Sequence, residues 1–215
     1  MKFPFLIEAA FYLPLVPAVL AVVKWKNMKR HQRWFAILLW STLVISFTSR
    51  IWVRTTDFNN MPFFHTYILV ELILFLVVFK FMLGETVKNH IWWMLAIGFF
   101  VLWVINIFAG QGWWGFPDYV HAAEAVVILS LVIRWILKLL KEKKIAQPEK
   151  TFEFWLCVGL LIVFSGNFLL FLFPKFLVNT GKDLFQAIWT INGVLILLQY
   201  LSYTTALLWV RKTAK

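Results

Sequence analysis

Negative charge is scarce in this chain. Its 215 residues carry 10 acidic side chains against 21 lysines and arginines, a formal net charge of +11. Charge of either sign is thin, at 14% of residues, where a soluble domain carries about a quarter. Cysteine is nearly absent. Cys157 stands alone in an apolar run, which excludes a disulfide within the chain and a cysteine-based metal site. It reads as a small buried hydrophobe. No Gly/Ser/Pro-rich linker and no low-complexity stretch divides the sequence, so residues 1-215 read as a single domain. There is no Gly-rich phosphate loop, no Gly-x-Ser-x-Gly nucleophile turn and no His-x-x-x-His. Nothing positive therefore points to an enzyme, and no catalytic residue is assigned.

What the chain has in quantity is apolar surface: 62% of residues are hydrophobic and the mean hydropathy is +0.80. That composition reads as an integral membrane protein with almost nothing left for a soluble part. The excess of basic residues would suggest nucleic acid in a soluble domain. Here the basic residues sit mostly in short loops between apolar runs, which is the pattern of a membrane orientation signal, so no nucleic-acid partner is expected.

Seven apolar runs, each near the ~20 residues needed to cross a bilayer, predict an all-α membrane protein of seven transmembrane helices. They extend from about Phe3 to Val23, Trp34 to Val53, Pro62 to Leu83, Ile91 to Ala109, Asp118 to Leu140, Phe152 to Phe173 and Leu184 to Val210. The first resembles a signal peptide, but Glu8 and the Pro14/Pro17 pair argue for a retained helix. Basic residues cluster after the first run (Lys24, Lys26, Lys29, Arg30, Arg33), the third (Lys80, Lys88), the fifth (Lys138 to Lys150) and the seventh (Arg211, Lys212, Lys215). The opposite loops hold only Arg54, then Lys175 and Lys182. This bias predicts an outside N-terminus and a cytoplasmic C-terminus in a multi-pass protein of the cytoplasmic membrane. Trp25, Trp34, Trp52, Trp113, Trp114, Trp135 and Trp209 fall near run ends, as interfacial anchors do.

Polar residues recur in the same order in two sets of three runs. Glu8 aligns with Glu124, Ser49-Arg50 with Gly166-Asn167, His65 with Gln186 and Glu71 with Asn192. The expectation is a parallel 3+1+3 repeat, residues 3-83 and 118-210, joined by a linker helix at 91-109. In architecture alone this resembles the opsins and the seven-helix sugar and vitamin transporters. Between Leu184 and Val210 there is no lysine, so the retinal attachment of the opsins has no counterpart.

Glu71 is the sharpest anomaly. It lies in His65-Thr66-Tyr67-Ile68-Leu69-Val70-Glu71-Leu72-Ile73-Leu74-Phe75, an apolar run with no other charge before Lys80. An ionisable group at membrane depth is costly and is read as functional by default. At about 1.5 Å per residue, Glu8, Arg50, His65, Glu71, His121, Glu124, Asn167 and Asn192 all fall in the outer half of the bundle. They are the candidate ligand-binding and proton-coupling residues. His121 and Glu124 are i, i+3 and share a helix face. Ser46 and Arg50 are i, i+4. One arginine against three carboxylates leaves unpaired charge or bound protons.

Three functions suit such a set. The first is receptor- or sensor-like binding of a small ligand, with Arg50 gripping an anionic group and the change passed to a cytoplasmic partner. The second is a small-molecule or ion transporter, with Glu71 cycling a proton. The third is a membrane-embedded enzyme or metal site at His65, His121, Glu71 and Glu124, although His121-x-x-Glu124 reverses the Glu-x-x-His of di-iron bundles. No cofactor is assigned. Pro14 and Pro17 predict a kink in the first helix, and His31 and His90 read as solvated loop residues.

Overall fold

The structure is a computed structural model. It describes residues 12–142, 147–172 and 182–210, with the backbone alone at 169–172 and 182–189. Among the described residues there are seven α-helices and no strand. They are α1 (Leu15–Lys24), α2 (Arg30–Thr55), α3 (Met61–Leu83), α4 (Asn89–Ala109), α5 (Asp118–Glu142), α6 (Phe152–Leu172) and α7 (Lys182–Leu208). Four segments are long and apolar enough to cross a membrane: Arg30–Thr55, Met61–Thr86, Asn89–Ala109 and Thr190–Leu208. Glu8 of the candidate set, most of the loop before α7 and the basic tail lie outside the described residues.

Local chemistry sets the helix ends. Pro14 sits at the N-cap of α1, where its missing N–H costs nothing, so the helix starts afresh there. α2 begins inside the basic segment: the Lys29 backbone N–H donates to Gln32 Oε1 at 2.9 Å, so the glutamine side chain caps the helix start from inside the first turn. His31, expected in a solvated loop, is thereby carried into the first turn of α2 and buried. His90 is exposed in the first turn of α4. α3 starts with Pro62 in its first turn, and Asn59 Oδ1 accepts from the Met61 N–H at 3.2 Å.

α4 carries the clearest sign of an apolar surrounding. Its buried residues are Trp92, Phe99 and Asn106, one stripe at heptad spacing. The rest of its surface exposes Trp93, Met94, Ile97, Phe100, Val101, Ile105 and Phe108. A helix apolar all round with one narrow packed stripe is suited to lipid rather than water.

Packing divides the chain into two compact units, Met1–Met28 with Ala125–Lys215, and Lys29–Glu124. In Lys29–Glu124, α2 and α4 pack on α3. α3 buries Ile68, Leu72, Phe75 and Phe79, a stripe at three- and four-residue spacing, and α2 buries Phe35, Leu38, Leu39 and Leu43. In the other unit, α6 and α1 pack on α7. Gly159 of α6 faces Ser202 and Tyr203, and Gly166 faces Leu195, so small residues let the two helices approach closely. Lys24 Nζ donates to the carbonyls of Leu208 (2.8 Å) and Val210 (3.3 Å), placing a cation on the last carbonyls of α7. The unit boundaries, at residues 28/29 and 124/125, differ from the limits of the sequence repeats at 3-83 and 118-210.

Candidate functional site

Two hydrogen-bonded pairs of polar side chains lie in the unit Lys29–Glu124. Tyr67 and Glu71 are one helical turn apart on α3, and the Tyr67 hydroxyl donates to Glu71 Oε1 at 2.6 Å. His121 and Glu124 are i, i+3 on the first turns of α5, with Nδ1 and Oε2 2.8 Å apart. Phe64 joins the two pairs, its ring lying parallel to that of Tyr67 at 6.4 Å and meeting His121 edge-on at 5.7 Å. Glu71 is 4% exposed and Glu124 is fully buried. Glu124 Oε1 has no hydrogen-bond partner among the described residues. No lysine or arginine pairs with either carboxylate among the described residues. Removing charge from water without a paired charge is among the most costly arrangements a protein can hold.

Above the cluster stands the segment between α4 and α5, Gly110 to Pro117. Its own turn is closed by Gly112 N–H donating to Asn106 O (3.1 Å) and by Gly115 N–H donating to Gly112 O (3.3 Å). Gly112 has φ +79°, the left-handed region that favours glycine. Side chains of α3 and its leading loop then strap the segment down. His65 Nε2 lies 3.0 Å from Gly115 O. A carbonyl can only accept, so Nε2 carries the proton. The same ring stacks on Trp113 at 5.5 Å, and Trp103 Nε1 of α4 donates to the His65 carbonyl at 2.9 Å. Asn59 Nδ2 donates to Trp114 O at 3.2 Å. Phe64 packs on Phe116 at 5.2 Å and meets His121 edge-on at 5.7 Å, which joins the strapped segment to the cluster. At the far side Gln111 Nε2 donates to Asp118 Oδ2 at 3.1 Å, fastening the loop to the start of α5.

The sequence-expected residues are thus brought together in part. Glu71, His121 and Glu124 share the cluster, and His65 holds the loop above it. Arg50 is half-buried on α2, and the hydrogen bond to Glu71 comes from Tyr67 rather than from Arg50. Asn167 and Asn192 belong to the other unit, on α6 and α7. Each has a buried Oδ1 without a hydrogen-bond partner. Further along α7, Gln199 Nε2 donates to the Tyr203 hydroxyl at 2.8 Å, both groups buried.

Tyr67, Phe64, Trp103 and Asn106 did not stand out in the sequence. The spacing of Tyr67 four residues before Glu71 was the available signal for the first. Asn106 is 4% exposed with Nδ2 unpartnered, and a lone asparagine in an apolar run was its only trace. Among the described residues no group of three or more His, Cys, Asp or Glu is arranged to hold a metal ion. Comparison of the chain with protein-family models, with curated proteins and with solved structures finds no match.

Proposed function

We propose that this chain is a multi-pass protein of the cytoplasmic membrane. Seven helices cross the bilayer, with an outside N-terminus, a cytoplasmic C-terminus and a parallel 3+1+3 repeat. Its function is receptor- or sensor-like: a small ligand is bound at the outer ends of the helices and the change is passed to a cytoplasmic partner. The supporting observation is the buried Glu71–Tyr67 and His121–Glu124 pairs, two carboxylates with no lysine or arginine paired to them among the described residues. A fold tolerates such a cluster when a bound species completes it.

The experiment is ligand-induced stabilisation of the purified protein, screened with a mixed library of small metabolites and repeated on Glu71→Gln. A compound that raises the melting temperature of the wild type but not of the variant supports the reading. Stabilisation that is identical in both proteins removes it.

Transport by the same cluster is the second reading, with Glu71 carrying a proton. The Asn167 and Asn192 amide oxygens, without a hydrogen-bond partner among the described residues, and the Gln199–Tyr203 pair favour it, since Asn192, Gln199 and Tyr203 set polar groups at seven- and four-residue steps along α7. Reconstituted vesicles decide between the two. Substrate flux abolished in Glu71→Gln identifies a transporter, whereas saturable binding without flux identifies a receptor.

A further inference from the structure

Resting on the ligand-binding reading above, we propose that the cluster in Lys29–Glu124 is a site for a protonated amine, held between Glu71 and Glu124 and walled by Phe64, Tyr67 and Phe116. Charge is the first reason. Glu71 and Glu124 lie on different helices whose partners Tyr67 and His121 both touch Phe64; Glu71 is 4% exposed and Glu124 fully buried, and among the described residues no lysine or arginine pairs with either. A single positive charge between them relieves both.

Hydrogen bonding is the second reason, and it is independent of charge. Glu124 Oε1 is completely buried with no donor, while Oε2 is engaged by His121. Glu71 has its one donor, Tyr67, on Oε1. The cluster is therefore short of N–H or O–H donors. An alkylammonium brings three. A metal ion is a poorer match, since among the described residues no group of three or more His, Cys, Asp or Glu is placed to hold one.

The third reason is the wall. Phe64 touches three members of the neighbourhood: it lies parallel to Tyr67 with ring centres 6.4 Å apart, packs on Phe116 at 5.2 Å and meets His121 at 5.7 Å. Aromatic faces beside a desolvated cation add attraction, and they accept the apolar body that an amine carries.

The test is thermal stabilisation of the full chain in detergent at about pH 7.5, where an alkylamine is protonated. The probes are methylammonium, tetramethylammonium, sodium and zinc chlorides at equal ionic strength. Methylammonium should stabilise more than sodium, and more than tetramethylammonium, which has the charge but no N–H. The effect should vanish in Glu124→Gln. Phe64→Leu keeps an apolar side chain and both acids while removing the aromatic face, and should weaken methylammonium binding about tenfold. It also serves if Glu124→Gln fails to fold. Equal shifts with sodium and methylammonium, or a response to zinc alone, overturn the proposal. So does stabilisation by acid pH alone, which would mean that protons complete the cluster. If a neutral or anionic compound from the library stabilises the wild type but not Glu71→Gln, the ligand-binding reading stands and only the amine is lost.

Discussion

Tyr67 and Glu71 show how much a single turn of helix decides. The hydroxyl donates to Oε1 at 2.6 Å, and the carboxylate it serves is 4% exposed. Removing the hydroxyl leaves a buried acceptor without its donor, which costs about 1–3 kcal/mol. Tyr67→Phe should therefore lower unfolding stability by that amount, measured by chemical unfolding in detergent micelles. In a Glu71→Leu background the same change should cost far less, and that double-mutant comparison isolates the pair. Equal costs in both backgrounds would mean that the hydroxyl serves something else. The residue scale is also where the sequence was most and least informative. His121 and Glu124, three apart, were bound to share a face, and they do. Arg50 was expected to serve the same pocket as the acids, yet Glu71 takes its donor from its own helix. Spacing along one helix is fixed by its pitch, whereas pairing across helices depends on how each is rotated about its axis.

Among the elements, the segment Gly110 to Pro117 behaves as a built part rather than a connection. His65, fully buried, holds Gly115 O and stacks on Trp113. His65→Ala should release this hold at a cost of about 1–3 kcal/mol, and hydrogen exchange at residues 111–116 should speed up while α2 is unchanged. Protection that persists at 111–116 would show that the aromatic contacts alone suffice. Gly112→Ala should cost about 1–2 kcal/mol, because its φ of +79° crowds a Cβ. In the other unit the close approach of α6 to α7 rests on Gly159. A Cβ there would lie 2.9 Å from the Ser202 Cβ and 3.2 Å from the Tyr203 ring. Gly159→Val should destabilise by about 1–3 kcal/mol through overpacking. The same residue change at Gly98, which has nothing within 4 Å of its Cβ position, should be close to neutral. The sequence marked the loop as aromatic and glycine-rich and the glycines as packing points. It did not say which partners they meet, because those lie on other segments.

For the whole molecule, the prediction concerns orientation. With Cys157→Ala as the background, single cysteines at Lys26, Lys88 and Lys141 should react with an impermeant thiol reagent only from the cytoplasmic side. Cysteines at Asp57 and Gln111 should react only from outside. Reaction of positions 26 and 57 from the same side would break the seven-crossing topology. The sequence by itself determined that the chain is helical and apolar, where most helices begin and end, and which few polar residues are out of place. Those properties come from composition, from turn residues and from runs long enough to span a bilayer, all of which are local. The tertiary structure decided which anomalies belong together. It linked the Glu71–Tyr67 pair to the His121–Glu124 pair through Phe64, gave Tyr67 as the donor to Glu71, put His65 against the Trp113 loop and left Asn167 and Asn192 to the other unit. A uniformly apolar helix has no polar face to announce its rotation, so only packing against its neighbours determines where its few polar groups point.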